Sequence, residues 1–251
     1  AEYIDAKKNI MKYQTEDDIL VVNNENEVTR KIGNEAKGII RSFGYDSTCD
    51  IYAKDGFIKH GQENILKIGD IKIPGKHNVE NYMAAIAAVG DKVSRETIED
   101  VAKNFGGVEH RIELVRKLDG VSFYNSSIDS SPNRSINTLS VFPGKVVMIA
   151  GGKDKGIPYD ELGPALVGHV KTLVLIGATA GKIKDALAKC EGHKNVEVIE
   201  CNEYEDAVKI AYEKAKPKGV VLLSPASTSF DRFRNFEERG NLFKKLVQEL
   251  K

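Results

Sequence analysis

The second half of the chain alternates short apolar runs with segments of helical periodicity, and this alternation constrains the fold more than any other feature. The apolar runs are rich in β-branched residues and are predicted strands, at 121–124, 146–150, 173–176, 196–199 and 220–223. The segments with helical spacing between them lie at about 131–140, 160–168, 180–190 and 204–215. Strands that alternate with helices form βαβ units, whose parallel sheet is covered by helices on both faces. We therefore predict an α/β domain here, closed by an amphipathic helix over 235–250.

The first hundred residues contain shorter strand signals. An apolar run at 19–22 follows three acidic residues and predicts a buried strand. Short apolar runs within 47–73 predict further strands, and the pairs Asp55-Gly56 and Gly69-Asp70 are typical of hairpin turns.

Helical signals surround these strands. The predicted helices lie at 26–40, at 77–89 and from Ser94 onward. The last of them ends near Phe105-Gly106-Gly107, where the double glycine is typical of a domain boundary. We therefore predict two domains, at 1–107 and 108–251.

The composition argues against several other classes of protein. Lys plus Arg and Asp plus Glu both number 37, so the net charge is zero and the basic excess of a typical nucleic-acid-binding protein is missing. The cysteines Cys49, Cys190 and Cys201 are odd in number and far apart, which argues against a disulfide framework and for a reducing compartment. No apolar run reaches membrane-spanning length, and the first residues lack a signal-peptide core. A cytoplasmic protein without a nucleic-acid or membrane partner is therefore expected.

Polar or glycine-rich loops follow three of the predicted strands, and ligands of such sheets bind beyond the carboxyl ends of the strands. Residues 151–156 read GGKDKG, in which backbone amides and Lys155 could bind an anion, or the glycines could simply form a turn. Residues 224–231 read SPASTSFD, whose hydroxyls could hold a carboxylate or phosphate or could cap the next helix. Residues 125–132 read NSSIDSSP, a polar segment that could also be a capping loop.

Two further pairs are candidates for phosphate or nucleotide contacts. His110 and Arg111 follow the glycine boundary, and an arginine there can bind phosphate through two parallel hydrogen bonds or form a surface ion pair. Asn78 and Asn81 are spaced three apart at the start of a helix, so both amides lie on one face and could cap the helix or contact a nucleotide. The phosphate-loop pattern GxxxxGK[ST] does not occur in the sequence.

The order of five sequence blocks along the chain is more specific than any one of them. They read GKHNVENYMAAIAA, EHRIELV, FYNSSIDSSP, IAGGKDKG and LLSPASTSFDRFRNFEERGNLF. Together they resemble the Mur ligase family over essentially the whole chain, and the last block resembles the branch that adds D-glutamate. The resemblance implies that residues 1–107 are the C-terminal portion of a central ATP-binding domain. It implies that residues 108–251 are a Rossmann-like, doubly wound domain with a mostly parallel sheet that binds the amino acid.

The resemblance also implies an ATP-dependent ligase of peptidoglycan precursor synthesis. In the implied reaction the terminal carboxylate of UDP-N-acetylmuramoyl-L-alanine is phosphorylated, and the amine of D-glutamate then attacks the acyl phosphate. The implied cofactors are ATP and Mg2+, because such a reaction needs its crowded negative charge offset. A monomer is expected. A UDP-sugar-binding domain and the phosphate loop are expected to precede this segment, which alone should therefore be inactive.

The family pattern assigns roles to individual residues. Tyr3-Ile4-Asp5-Ala6-Lys7 matches its Y-x-x-A-K element, in which the lysine is carbamylated and holds magnesium, so Lys7 is the implied metal ligand. Asn78, Asn81 and His110 are implied to bind the nucleotide, and Arg111 to neutralise phosphate charge. The residues implied to bind D-glutamate are Ser130, Lys155, Ser229, Phe230, Asn235 and Phe236. The implied catalytic residues are Lys7, Arg111 and Lys155.

The 125–132 loop departs from the family pattern, which reads N-D-S-K-A-T-N at this place. Ser126 stands where an aspartate near the ribose is expected, and Ile128 stands where a lysine near the phosphates is expected. Asp129 or Arg134 could compensate for the missing charges. The departures leave room for a truncated paralogue that binds D-glutamate or a nucleotide without catalysis. A second alternative is another amide-forming ligase of the same superfamily, such as a relative of folylpolyglutamate synthase.

Overall fold

A computed structural model describes residues 2–251, apart from the side chain of Asp91. The chain folds into two compact units, of which the first ends at Gly106 and the second runs from Gly107 to Lys251. Each unit has its own sheet and its own hydrophobic core. No helix of the described residues is both long enough and apolar enough to cross a bilayer.

The first unit is a five-stranded sheet with helices packed against it. Its strands are β1 (Ile19–Asn23), β2 (Ile39–Gly44), β3 (Ile51–Lys54), β4 (Phe57–His60) and β5 (Glu63–Lys67). Its α-helices are α1 (Glu2–Lys8), α2 (Glu27–Gly33), α3 (Lys76–Val89) and α4 (Arg95–Asn104). The strands lie in the order β1-β2-β3-β4-β5, with β1 to β3 parallel and β4 and β5 added as an antiparallel extension.

One of the two predicted hairpin turns is confirmed. Asp55 and Gly56 connect the antiparallel strands β3 and β4, and both have positive φ, +52° and +79°, as a two-residue hairpin turn with the twist of the strands requires. The prediction for Gly69-Asp70 was wrong, because these residues lie in a 3-10 helix, Ile68–Asp70. The second hairpin turns instead at Gly61, which follows β4 and also has a positive φ.

The predicted helix over 26–40 was also too long. Asn26 caps α2 by accepting hydrogen bonds from the amides of Val28 and Thr29, but the helix ends at Gly33. Residues 39–44 form β2, which pairs in parallel with β1. The β-branched residues Ile39 and Ile40 happen to continue the helical spacing of the apolar residues before them. The long-range pairing of β2 with β1 decides in favour of a strand over a longer helix.

The core of the first unit lies between the sheet and α3. The buried face of this helix consists of Tyr82, Met83, Ile86 and Ala87, which pack on strand residues such as Ile51. Helix α4 begins where expected, because Ser94 accepts a hydrogen bond from the Thr97 amide at 3.3 Å.

The second unit has a six-stranded sheet. Its strands are β6 (Glu113–Leu118), β7 (Val121–Asn125), β8 (Val146–Ala150), β9 (Val170–Ile176), β10 (Glu197–Cys201) and β11 (Gly219–Leu223). Its α-helices are α5 (Pro132–Leu139), α6 (Leu162–His169), α7 (Ala180–Ala188), α8 (Tyr204–Ala215) and α9 (Phe236–Glu249). The order is β10-β9-β8-β11-β7-β6, and only β6, which the sequence did not predict, is antiparallel to its neighbour. The predicted mostly parallel α/β fold is confirmed.

The central strands of this sheet are buried on both faces, as the absence of polar alternation in their sequences indicates. Along β8, Val146 and Met148 face α5, α6 and α7, while Val147 and Ile149 face α8 and α9. Helices therefore cover both faces of the sheet. The carboxyl ends of its parallel strands are left to carry loops.

Candidate functional site

Three of these loops emerge side by side from β8, β11 and β7, which are neighbours in the sheet. They are the loops at 151–156, 224–231 and 125–132 that the sequence analysis singled out. Backbone hydrogen bonds join them: the Ser126 amide donates to the Leu223 carbonyl at 2.8 Å, and the Lys153 amide donates to the Thr228 carbonyl at 2.8 Å. The fold therefore brings the three predicted loops to one edge.

The glycine pair at the end of β8 is required by close backbone contacts. Gly151 has φ +117°, and a Cβ there would lie 1.9 Å from the carbonyl oxygen of Ile176. Gly152 has φ +150°, and its Cβ would lie 2.2 Å from the carbonyl oxygen of Thr228. Only glycine fits either position, so the loop can cross tightly between β9 and the 224–231 loop.

The segment after these glycines presents lysines to solvent. Lys153 and Lys155 are both exposed, and the Asp154 between them is fixed at two points. Its carboxylate accepts the Gly156 amide at 2.9 Å and pairs with the ammonium of Lys182 on α7. The hydrogen bond from Lys182 holds the pKa of Asp154 below its ordinary value. The loop that carries Lys155 is thus anchored while the Lys155 side chain remains accessible.

A buried arginine on α9 links two of the loops. Arg239 is 0% exposed, and its guanidinium donates to the carbonyl oxygens of Ser127 at 2.8 Å and Ser227 at 3.0 Å. Its Nε donates to the Ser127 hydroxyl at 3.0 Å. Arg239 forms no ion pair with any described side chain, and burial lowers the pKa of its guanidinium. The guanidinium therefore acts as a cross-link between backbone carbonyls of the 125–132 and 224–231 loops.

Arg239 was not among the site residues predicted from the sequence, although the sequence contains a signal for it. It lies three residues after Phe236 and four before Phe243, so it falls on the apolar stripe of α9. A charged residue on the buried face of an otherwise amphipathic helix must satisfy its donors inside the protein. That rule would have predicted a buried polar partner near the strand ends.

The hydroxyl groups of the 224–231 loop are largely used inside the protein. The Ser227 hydroxyl lies 2.8 Å from the Tyr159 hydroxyl and 2.7 Å from that of Thr179, which in turn accepts the Gly152 amide at 3.1 Å. Ser229 is also buried, and its carbonyl accepts the Phe233 amide at 2.9 Å. These bonds fix the shape of the loop.

The positions of Asp129 and Arg134 bear on whether either residue replaces the charges missing at Ser126 and Ile128. The carboxyl group of Asp129 is buried and lies 2.7 Å from the hydroxyl of Ser224, with further hydrogen bonds from Thr138 and Ser126. It therefore faces inward and does not offer a charge to a ligand in place of the aspartate expected at Ser126. Arg134 is exposed and donates to the Ile128 carbonyl at 3.1 Å.

Burial raises the pKa of Asp129, and this gives a prediction for stability against pH. Between the ordinary carboxyl value and the raised one, the folded chain keeps a proton that the unfolded chain has lost. Stability therefore falls as pH rises through that interval. Asp129→Asn stays uncharged and still accepts from Ser224, so we expect it to remove this fall. Urea unfolding at pH values from about 4 to about 8 measures the effect.

Asp160→Asn is the matched control for that experiment. Asp160 is exposed and pairs with Lys189 at 2.7 Å, and the hydrogen bond from Lys189 lowers its pKa. Its replacement should therefore leave the Asp129 contribution in place. If the wild type and Asp129→Asn show the same slope of stability against pH, Asp129 is not the group responsible.

His110 and Arg111 have different environments. His110 is buried with φ +63°, and its Nδ1 lies 2.9 Å from the side-chain amide nitrogen of Asn125. A Cβ on Gly240 of α9 would lie only 2.2 Å from the same Nδ1, so the helix packs directly on this imidazole. Arg111 is exposed. The structure thus leaves Arg111 accessible and uses His110 as a packing residue within the second unit.

The remaining predicted contacts of the second unit lie around the start of α9 and the 125–132 loop. Asn235 caps α9, because its side-chain oxygen accepts the Glu238 amide at 2.8 Å. Phe236 is half-buried with its ring 6.0 Å from that of His110, whereas Phe230 is 59% exposed. Ser130 is half-buried, and its amide donates to the Ile128 carbonyl.

The predicted residues of the first unit form a pair and a single exposed lysine. The side-chain amide of Asn81 donates to the side-chain oxygen of Asn78 at 3.2 Å, and the side-chain amide of Asn78 donates to the Pro74 carbonyl at 2.7 Å. The predicted shared face is confirmed. Lys7 is exposed, and its ammonium lies 5.2 Å from the ring centre of Tyr3. It pairs with no described carboxylate, so its amine is open to modification, whereas the neighbouring Lys8 pairs with Glu35.

One group of acidic and histidine side chains in the described residues is compact enough to suggest a metal site. It consists of Glu109, His110 and Glu113. Lys244, however, pairs with Glu109 at 2.6 Å and with Glu113 at 2.8 Å. Both carboxylates of the cluster thus already pair with a lysine, and the Asn125 contact uses His110 Nδ1.

Comparison with known families assigns both units. The model of the Mur ligase middle domain matches residues 1–89, and the model of the Mur ligase glutamate ligase domain matches residues 110–227. Among solved structures, MurF from Acinetobacter baumannii is similar, with a TM-score of 0.72 and 19% identity over 98% of this chain and 55% of that protein. At this identity the likeness concerns the fold.

Sequence relatives are much more similar. The UDP-N-acetylmuramoylalanine--D-glutamate ligase of Ruminiclostridium cellulolyticum is 51% identical over 100% of this chain, and that of Acetivibrio thermocellus is 50% identical over 99%. The chain spans 56% of the length of each of these relatives. The two domain models, the shared fold and the identity over the full chain agree that this chain belongs to the Mur ligase family.

Proposed function

We propose that this chain is part of an ATP-dependent ligase that joins D-glutamate to UDP-N-acetylmuramoyl-L-alanine, through an acyl phosphate, in the cytoplasm. Two relatives whose sequences are about 50% identical to this chain are named as ligases for this reaction, and their names support the proposal. The block SPASTSFDRFRNFEERG, which resembles the D-glutamate-adding branch, agrees with these names. The same relatives argue against a folylpolyglutamate synthase activity.

The two units have separate roles in this proposal. The first is the C-terminal portion of the central ATP-binding domain, where Asn78 and Asn81 would face the nucleotide and a carbamylated Lys7 would provide an oxygen ligand for Mg2+. When bound, ATP supplies the phosphoryl group and Mg2+ offsets its charge. The second unit binds the amino acid, and its exposed Arg111 neutralises phosphate charge.

The proposal rests mainly on the three loops that follow β8, β11 and β7, which are held together by hydrogen bonds at one edge of the sheet. A dicarboxylic amino acid needs one cation that is accessible and well positioned, together with hydroxyl and amide donors nearby. The exposed Lys155 meets the first need on a loop that is fixed through Asp154 and Lys153. Ser130 and Ser229 on the adjoining loops are the proposed partners for the remaining carboxylate oxygens, with Phe230, Asn235 and Phe236 beside them.

Titration of the chain with D-glutamate tests this function, with binding as the readout. We expect D-glutamate to bind more tightly than L-glutamate or D-alanine. Lys155→Met should weaken binding of D-glutamate by roughly 10- to 100-fold, because a hydrogen bond to a charged group contributes about 1.5–3 kcal/mol. Isothermal titration calorimetry measures both comparisons.

Lys153→Met is the matched control, since it removes the same charge from the same loop. Lys153 bonds to Thr228 through its backbone, so the loop keeps its anchor. Equal weakening by the two substitutions would show that the loop contributes only general positive charge. Tight nucleotide binding without any response to D-glutamate would favour the non-catalytic binding module instead.

A further inference from the structure

The first unit contains a cavity that the proposed reaction does not use. It has a volume of about 350 Å3 and lies between β3, β4, β5, the last turns of α3 and the start of α4. Its apolar wall consists of Ile51, Ile65, Ile86, Val93 and Ile98. This volume is at the lower end of the range for small-molecule sites, so the cavity suits a compact ligand and not a nucleotide.

The charged side chains at this cavity are mainly cationic. Arg41 and Arg95 line it together with His60, and Asp50 is the carboxylate among its described lining residues. Arg95 already pairs with Glu99 at 3.1 Å. The Asp50 carboxylate already accepts the amide of Ser42 at 2.7 Å and its hydroxyl at 2.8 Å. Burial alone would raise the pKa of Asp50, but the hydrogen bonds from Ser42 keep it below its ordinary value. An anion would therefore meet cations and one carboxylate that is already hydrogen-bonded.

Arg41 is the cation best placed to hold such an anion. One of its guanidinium nitrogens donates to the Ala87 carbonyl at 2.9 Å, which fixes the side chain against the last turn of α3. A Cβ on Gly90, which has φ +51°, would lie 2.2 Å from the same nitrogen. Arg41 forms no ion pair with any side chain that the structure describes. Its guanidinium is thus held in place by neutral groups and retains donors for a carboxylate.

The cavity is distinct from the paired asparagines. Asn78 lies in the first turn of α3 and Ala87 in its last turn, and nine helical residues correspond to about 13 Å along the axis. A ligand at the Ala87 end would therefore contact neither Asn78 nor Asn81.

We propose that this cavity is a second ligand site, which binds a small organic monocarboxylate with a compact apolar body. The carboxylate would bind Arg41, and the apolar body would lie on the isoleucine wall. A single negative charge suits the site better than a phosphate dianion, because Asp50 lies on the same rim and would repel the second charge.

Methyl NMR of the whole 251-residue chain tests the proposal, with benzoate as the probe and its uncharged analogue benzamide as the comparison. Isoleucine δ1-methyl labels report directly on the wall. With benzoate up to about 10 mM, we expect saturable shifts of the methyls of Ile51, Ile65, Ile86 and Ile98. Benzamide should bind at least about tenfold more weakly, because it lacks the charge that pairs with Arg41.

Two arginine variants locate the charge contact. Arg41→Met should weaken benzoate binding at least about tenfold, whereas Arg30→Met, which removes an exposed cation of α2 in the same unit, should leave it unchanged. Equal binding of benzoate and benzamide by the wild type would overturn the proposal, and this comparison does not require any variant to fold. Shifts confined to other isoleucines would also overturn it. D-Glutamate binding is measured separately, so either proposal can fail alone.

Discussion

Replacing Arg239 with methionine is expected to lower the free energy of unfolding by about 2–6 kcal/mol, because two buried acceptors lose their donor and each unsatisfied group costs about 1–3 kcal/mol. Methionine occupies most of the volume of the aliphatic part of the arginine side chain, so the main loss is that of the guanidinium hydrogen bonds. The carbonyl oxygens of Ser127 and Ser227 would be left buried without their donors. Urea unfolding followed by circular dichroism measures the change.

The same substitution should also reduce D-glutamate binding under conditions in which the variant remains folded. Ser127 and Ser227 belong to the two loops that contain Ser130 and Ser229, so both loops lose a common anchor. Arg234→Met is the control, because the Arg234 side chain is 91% exposed and lies just before the same helix. A loss of less than about 1 kcal/mol for Arg239→Met would show that water or backbone movement replaces the guanidinium.

Gly240→Ala is the second substitution with a large expected effect. Alanine normally stabilises a helix relative to glycine by about 0.5–1 kcal/mol. Here the added Cβ would lie 2.2 Å from His110 Nδ1 and 3.1 Å from the side-chain nitrogen of Asn125. Overpacking of this kind costs about 1–3 kcal/mol, so we expect a net loss of stability and a lower thermal midpoint.

Gly181→Ala provides a matched comparison for this experiment. Gly181 lies in α7, and a Cβ there would meet nothing within 4 Å. The same chemical change should therefore stabilise the protein at Gly181 and destabilise it at Gly240. Stabilisation at both positions would mean that the imidazole moves aside at little cost. The HSQC signals of His110 and Asn125 would show whether their contact survives.

The sequence predicted the second unit better than the first for a physical reason. In the second unit the central strands β8 and β9 are buried on both faces, so burial alone produces continuous apolar runs that are easy to recognise. The run at 39–40 in the first unit is exposed on β2 and merges with the helical spacing of α2, so periodicity could not separate the two elements. Pairing with β1, a long-range contact, decided the outcome.

Residues of the candidate site also differed in how well the sequence predicted their positions. Loop positions after strands follow from the α/β pattern, so Lys155 and Ser229 could be placed at the edge from sequence. The inward orientation of Asp129 could not, because it depends on Ser224, the first residue of the 224–231 loop, which lies almost a hundred residues away in sequence. Arg239 was recognisable only by asking which partner a charge on an apolar stripe would have.

The position of β11 has a consequence for how the protein is made. This strand is the last of the second unit in sequence, yet it lies between β8 and β7 at the centre of the sheet. A ribosome therefore releases β7 and β8 long before the strand that joins them, and both expose unpaired backbone edges until residues 219–223 emerge. Arg239 emerges later still, so the loops at 125–132 and 224–231 gain their shared anchor only after α9 has left the ribosome. We expect chaperones that bind exposed strand edges to associate with nascent chains of this protein over that interval.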